Sequence, residues 1–531
     1  MCGIWGCIGR KGTEQECSHC LKALQGRGPE GGKVVSIGET ATLGFTRLAI
    51  NGLHQEGMQP MVQGALTWIC NGELYNWKEV ADRHSLLCLS DSDCSVIGPL
   101  WAKYRETPDA FFRALDGVFA IVIVDEDTGL TTVGRDPYGV RPLFYKKGTD
   151  GSVQFASEMK AFLVQEGDVI LPFKPGSYKQ FRTATGEQVA VSMYHTVPWI
   201  KNPTLKVEDA LKVVRETLVL AVKKRLMTER PVAALLSGGL DSSLIAALVQ
   251  RELKGLGLGP LETFTVGFEG SPDVFHARQV AEWIGSRHTE VIVTPEEFFS
   301  VIPEVIRDIE SYDITTVRAS VGNWFVSREI RKRSEAKVIF NGDGADELFG
   351  SYLYCFRAPD DESYEHEVGR LLRNIHRYDV LRSDRSISSH GLEPRTPFLD
   401  KQFVAAIRSL PTSFLRPTKA LCEKWILRSA FVGDALLPSE VLWRRKEAFS
   451  DGVSGAAKSW YQEIQDRVIG SVAEHPYTHL VPQTAEAVFY RNIFHRTYGY
   501  AGQQVIEEFW MPKWSGETRD PSARTLSLYS P

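Results

Sequence analysis

The sequence predicts two folds in succession: an α+β half dominated by antiparallel sheet, then an α/β half wound around a doubly covered parallel sheet. Three observations carry this. Before residue 195 the apolar residues fall in period-2 alternation or short runs joined by tight turns. Beyond it they recur at helical spacing, with short apolar strands between the helices. The Pro-containing stretch 195–203 separates the two patterns, which places the domains at 1–195 and 196–531.

In the first half, strands are expected at 65–70, 118–124, 131–133 and 153–156, with turns at Asp127-Thr128-Gly129 and Thr149-Asp150-Gly151. In the second, Leu211, Val214, Leu218, Val222 and Leu226 share one face of a helix. Next comes a strand at 232–236 that runs into Ser237-Gly238-Gly239. Helices are expected at 242–253, 276–285 and 296–309, and strands at 263–268, 290–294 and 337–341. The charged stretch 360–367 reads as a solvated face. Neither an internal repeat nor a low-complexity segment is apparent.

Composition narrows the function. The 531 residues are 43% hydrophobic and 24% charged, enough for two to four cores at roughly 100–200 residues each. Lys and Arg number 61 against 66 Asp and Glu, a net charge of −5 with no basic excess for a nucleic acid. Apolar runs such as 119–124 fall far short of the roughly 18 residues of a spanning helix, so no membrane partner is expected. The first residues, Met1-Cys2-Gly3-Ile4-Trp5-Gly6, lack the basic and long apolar regions of a secretory signal. Seven of the nine cysteines precede residue 100, which is no disulfide framework and fits a reducing, cytoplasmic compartment. Cys17-Ser18-His19-Cys20 has metal-ligand spacing but no matching second pair, and reads as ordinary thiols on one side of a helix.

Two stretches carry chemistry. Ser237-Gly238-Gly239-Leu240-Asp241-Ser242-Ser243 lies where a strand ends and a helix begins, so free amides and the helix dipole face an anion there. Glycines admit phosphate closely, hydroxyls add hydrogen bonds, and the Asp241 carboxylate suits magnesium. No GxxxxGK[ST] occurs, which disfavours γ-phosphoryl transfer. At the other end, removal of Met1 would leave the Cys2 thiol beside a free α-amine of pKa about 8, a nucleophile with its own base.

The Ser237 loop resembles the pyrophosphate loop of ATP pyrophosphatases, which adenylate a carboxylate or similar oxygen. Further stretches resemble the asparagine synthetases among them: 312–320, Asn341-Gly342-Asp343-Gly344-Ala345-Asp346, 390–400, 443–452, 510–514 and 520–526. In the first half, Cys2-Gly3-Ile4, Arg27-Gly28-Pro29-Glu30, Arg47-Leu48-Ala49-Ile50, Asn71-Gly72-Glu73, Asp93 and 134–143 resemble a class II glutamine amidotransferase.

The resemblance implies an αββα sandwich of the N-terminal nucleophile hydrolase type followed by an ATP pyrophosphatase domain. It implies a ligase, commonly a homodimer, that acts on L-aspartate, L-glutamine and ATP with Mg. Cys2 would attack glutamine, with Asn71 and Gly72 as oxyanion donors. Arg47, Leu48, Ala49, Ile50, Asn51, Glu73 and Asp93 would hold the amino acid. Leu236, Ser237, Gly238, Gly239, Asp241, Ser242, Val266, Asn341 and Gly342 would bind ATP, and Asp241 and Asp346 the metal. Thr315, Arg318 and Lys446 would contact the phosphates or the adenylated intermediate.

The chain departs from the family motifs at Gly26 (usually His), Glu30 (Asp), Ser95 (often an acid), Asn341 (Ser) and Asp343 (Glu). A related adenylating amidotransferase, a cyclase on the same scaffold, and a catalytically weakened regulatory relative remain the alternatives.

Overall fold

The computed structural model describes residues 1–446, 453–454, 458–470, 476–516 and 520–521. The motif residues 447–452 and 522–526 lie outside the described residues.

Twelve strands build the first half. They are β1 (Gly3–Ile8), β2 (Gly32–Ile37), β3 (Ala41–Thr46), β4 (Met61–Gln63), β5 (Leu66–Leu74) and β6 (Gly117–Asp125), then β7 (Leu130–Arg135), β8 (Phe144–Lys147), β9 (Val153–Ala156), β10 (Val169–Pro172), β11 (Ser177–Arg182) and β12 (Gln188–Met193). They form two six-stranded antiparallel sheets, ordered β10-β8-β9-β1-β3-β2 and β12-β11-β7-β6-β5-β4. Ile4, Leu43 and Phe45 of one sheet meet Ile69, Ala120, Val122 and Val133 of the other in a shared core.

Helices cover both outer faces, completing the αββα sandwich. On one, Trp5 and Cys7 pack against Cys20 and Leu24 in and beside the helix Glu14–Ala23. On the other, Trp68, Phe119 and Ile121 pack against Leu100, Trp101, Phe111 and Phe112 from the helices Ile97–Tyr104 and Pro108–Ala114.

The second half holds β13 (Val232–Leu235), β14 (Glu262–Gly267), β15 (Arg287–Ile292), β16 (Val338–Phe340) and β17 (Glu393–Arg395) in the order β15-β14-β13-β16-β17, with every neighbouring pair parallel. Consecutive residues face opposite ways, so Ala234 packs toward Val214 and Leu244 while Ala233 packs toward Ile306 and Val317. Helices therefore cover both faces. The order reverses between β13 and β16, and at such a switch point the loops beyond the carboxyl ends diverge and open a crevice.

The expected strands and helices are present with shifted ends. The helix expected at 296–309 is two, Pro295–Ser300 and Ile302–Ile309, because Pro303 lacks an N–H and its ring clashes with the carbonyl four residues back. The stretch 360–367 is not simply solvated: it opens the helix Asp361–Asn374, and Glu367 is fully buried. Its charge is met there by Arg370 at 2.8 Å and by the Tyr354 hydroxyl at 2.6 Å.

Candidate functional sites

At one end of the first half, the loop after β3 meets the carboxyl end of β5. The Cys2 thiol donates to the Leu48 carbonyl at 3.6 Å, Asn51 Nδ2 to Glu73 Oε2 at 2.8 Å, and the Leu74 amide to Asp93 Oδ2 at 2.8 Å. Cys2, 47–51, 71–73 and Asp93 are thus gathered into one neighbourhood. Loop carbonyls hold Arg47: it donates to His54 at 2.8 Å and to Gly52 at 2.5 Å.

Asn71 is fully buried, yet neither its amide nitrogen nor its oxygen has a hydrogen-bond partner. Leaving such a group unpaired costs about 1–3 kcal/mol, which a ligand hydrogen-bonded there would recover. Gly72 has no room for a side chain, since a Cβ would stand 2.3 Å from the Val118 carbonyl.

Burial dominates the electrostatics. It pushes the Cys2 thiol up to about 11 with Met1 in place, and it lowers the Met1 α-amine to about 6. Asp93 is raised to about 6 by burial, and Glu73 well above the usual range by burial, with Asp93 adding repulsion. A cationic group placed between these two carboxyls would relieve both.

In the second half, a cleft of about 160 Å³ opens at the switch point. Ser237, Gly239, Asp241 and Ser242 line it from the loop after β13, and Asn341, Gly342, Asp343 and Asp346 from the loop after β16. Ser242 Oγ accepts from the Ser237 amide at 3.1 Å and tightens the turn. Gly238 takes the left-handed conformation, φ 72°, with its Cα against His276 and Ala277.

Lys424 also enters the cleft, and nothing in the sequence signalled it. Its ammonium lies 2.5 Å from Asp241 Oδ2 and 2.6 Å from Asp346 Oδ1, while Lys446 pairs with the other Asp346 oxygen. Burial alone would raise the Asp346 carboxyl, but these two ammonium groups hold it well below the usual range.

The cleft floor carries Asp343, Glu347, Asp379 and Arg382. Arg382 reaches Asp379 at 2.6 Å and Asp343 at 3.1 Å. Burial raises Asp343, opposed by Arg382. Asn341 donates to Ser383 Oγ at 2.6 Å and accepts from the Asp343 amide at 3.3 Å.

Other expected residues do not line this cleft. The Arg318 guanidinium is buried against two carboxylates, Glu486 at 2.5 Å and Asp520 at 3.0 Å. Thr315 Oγ1 is buried without a partner near the start of the helix Ile314–Arg333. Leu236 is buried, its amide donating to the Phe264 carbonyl, and Val266 is buried within β14.

Asp241 and Asp346 fit magnesium. Asp241 Oδ1 is a buried oxygen with no partner, and a cation, the Lys424 ammonium, already sits between the two carboxylates. Among the described residues no cluster of three or more His, Cys, Asp or Glu side chains forms an all-protein cage. Two carboxylates completed by phosphate oxygens and water is the usual magnesium arrangement.

A thiol gathered with a buried unpartnered amide in the first half, and a Gly-rich turn at a parallel-sheet switch point in the second, fit an amidotransferase joined to an adenylating synthetase. Residues 1–210 match the glutamine amidotransferase domain family and 213–518 the asparagine synthase family. Relatives named glutamine-hydrolysing asparagine synthetase from Mus musculus, Homo sapiens and Gallus gallus are 40%, 39% and 38% identical to this chain, each comparison covering 100% of this chain and 99% of the relative. The chain belongs to the asparagine synthase family.

One substitution tests the cradle. A Cβ on Gly342 would lie 2.7 Å from the Ser242 amide and 2.9 Å from Asp241 Cβ. Gly342→Ala is expected to displace the loop and lower ATP-dependent pyrophosphate release about a hundredfold, the scale of a 1 Å misplacement, while glutamine hydrolysis persists.

Proposed function

We propose that the protein converts L-aspartate to L-asparagine, using ATP and ammonia taken from L-glutamine, with AMP, pyrophosphate and L-glutamate as the other products. The observation that carries the reading is the pairing of two prepared centres, the unpartnered Asn71 amide beside Cys2 and the Lys424 cation between Asp241 and Asp346. We place the enzyme in the cytoplasm, where its nine free thiols stay reduced, and propose a homodimer.

Glutamine binds with its α-carboxylate on Arg47 and its α-ammonium between Glu73 and Asp93, whose raised carboxyls gain from a cation. Removal of Met1 frees the Cys2 α-amine, which takes the thiol proton as sulfur attacks the amide carbon. Asn71 Nδ2 and the Gly72 amide donate to the developing oxyanion. Ammonia leaves, and water cleaves the thioester to give glutamate.

In the second cleft the aspartate β-carboxylate attacks the α-phosphorus of ATP and expels pyrophosphate. The loop amides, Ser237, Ser242, Lys424 and Lys446 take the phosphate charge as it develops. Magnesium held by Asp241 and Asp346 would neutralise the leaving pyrophosphate. Ammonia then attacks the acyl adenylate, Asp343 takes its proton, and AMP departs. Water at neutral pH would convert ammonia to non-nucleophilic ammonium, so the reading requires ammonia to pass between the centres through the protein.

Three measurements test this. Cys2→Ala is expected to abolish glutamine hydrolysis and glutamine-dependent synthesis but to spare synthesis from ammonium salts. Equal loss with both nitrogen sources would contradict separate centres.

For Asp343, Ala is expected to be nearly inactive with either nitrogen source and Glu to keep or increase synthesis, because one methylene moves the carboxylate about 1.5 Å. Aspartate-dependent pyrophosphate release and asparagine formation report both variants. Wild-type rates in Asp343→Ala would remove this carboxylate from the reaction.

The third concerns pH. A thiol raised to about 11 is scarcely ionised at neutrality, and its thiolate fraction grows as pH rises. Protein made with methionine aminopeptidase inhibited is therefore expected to hydrolyse glutamine about a hundredfold more slowly near pH 7.5, the scale of a lost general base. Its rate should still be climbing at pH 10. Equal pH profiles with and without Met1 would show that the α-amine is not the base.

A further inference from the structure

The helix Asp379–Ser388 serves two neighbourhoods. Asp379 and Arg382 line the synthetase cleft, and Ser383 accepts from Asn341. Asp384 and Ser388 point the other way, into the first half. Asp384 Oδ2 accepts from Arg27 Nη1 at 2.8 Å, and Ser388 Oγ accepts from the same nitrogen at 2.9 Å. Arg27 Nε in turn donates to the carbonyl oxygen of Cys2 at 3.0 Å. Arg27 and Asp384 are each 1% exposed and Ser388 is fully buried, so solvent cannot substitute for any of these contacts.

A nucleophile at a chain terminus has a particular mechanical weakness. Once Met1 is gone, no preceding peptide restrains Cys2, and rotation about its Cα–C bond would swing both thiol and amine away from the substrate. The carbonyl oxygen is the point at which the residue can be held before β1 begins. Arg27 supplies that hold, and a guanidinium can do so only if its own position is fixed. Glu158, its other carboxylate partner at 2.8 Å, is shared with Lys160 at 2.8 Å. Asp384 is the partner contributed by the second half of the chain.

We propose that Asp384 is a positioning residue of the glutaminase centre, acting through Arg27 on the Cys2 carbonyl, so that the synthetase half completes the site at which glutamine is hydrolysed. The claim rests on the glutaminase reading of Cys2 and adds a residue 382 positions away in sequence. An alignment effect of this kind lowers turnover rather than substrate affinity, because Arg47, Glu73 and Asp93 remain where they were.

The test uses full-length protein. Asp384→Asn is expected to lower the glutaminase kcat ten- to a hundredfold, with KM for glutamine changed less than about threefold and synthesis from ammonium salts within about twofold. Arg27→Lys, which retains the charge but loses the Nε donor, should reproduce the kcat loss. The double variant should be no worse than the weaker single, since both remove one device. Ser388→Ala, a milder change, should lower kcat severalfold with the same untouched ammonia reaction.

Unchanged kcat in Asp384→Asn, independent effects in the double variant, or a KM effect in place of the kcat effect would overturn the proposal. If Asp384→Asn fails to fold, Ser388→Ala decides alone, and an unchanged kcat there rejects the assignment. Wild-type protein that hydrolyses no glutamine would instead defeat the glutaminase reading itself, which separates the two failures.

Discussion

The structure depends on a set of charges that neither half could bury by itself. Arg27 and Arg141 from the first half and Arg385 and Arg395 from the second lie in the seam with Glu73, Glu158, Glu310, Asp384 and Glu393, every one of them nearly inaccessible to solvent. The pairs cross between halves: Arg27 with Asp384 at 2.8 Å, Arg141 with Asp384 at 3.5 Å, and Arg395 with Glu73 at 3.4 Å. Removing one partner from such a set typically costs 3–5 kcal/mol, because the remaining charge is left buried and unmet. The two halves are therefore covalently one chain and electrostatically one body, and their relative position is fixed by matching charges as well as by apolar area.

The same boundary also supports the loops of the first half. Ala49 and Ile50, in the loop expected to hold glutamine, accept hydrogen bonds from Arg230 at 2.8 Å and from the Glu229 amide at 3.0 Å. Glu73, beside the oxyanion residues, shares Arg395 with Glu393 of strand β17. These loops thus rest on residues at the amino end of β13 and in β17. A reagent such as ammonia, consumed by water if it escapes, is best released where the releasing and consuming sites share a dry boundary.

The sequence made legible those parts of the architecture that have local causes. The short apolar runs of β5 and β6, the Gly-rich turn after β13 and the helical face of 211–226 each follow from residues within a dozen positions. What it concealed was decided at long range. Strand β17, Glu393-Pro394-Arg395, has no apolar alternation, and its proline is tolerated because the strand pairs with β16 alone and lies at the sheet edge. Arg318 looked like a phosphate ligand within its motif, but its carboxylate partners stand 168 and 202 residues away. Lys424 sits in an unremarkable stretch, Glu423-Lys424-Trp425, and is a cleft residue through partners far off in sequence, Asp241 and Asp346, from a left-handed position, φ 56°, at the start of the helix Trp425–Ala430.

Four of the five positions at which this chain departs from the family motifs lie at this boundary or against one helix of the second half, while Ser95 donates to the Ser90 and Ser92 carbonyls within the first half. Gly26 stands where a Cβ would come within 3.0 Å of the Ser389 carbonyl, at the end of the helix Asp379–Ser388. Asn341 and Asp343 bond to Ser383 and Arg382 of that same helix. Glu30, one methylene longer than the aspartate of the motif, accepts from the Ala49 amide and reaches Arg230 across the boundary at 3.1 Å. Asn341 and Asp343 therefore bond to one ten-residue helix, Gly26 lies against the residue that follows it, and Glu30 crosses between the halves. Gly26 leaves room beside the helix end, and Arg382 of the same helix meets the shortened carboxylate of Asp343 at 3.1 Å. Asp343 is then best judged together with the helix that meets it, because the distance lost with one methylene can be recovered by moving the partner instead of the carboxylate.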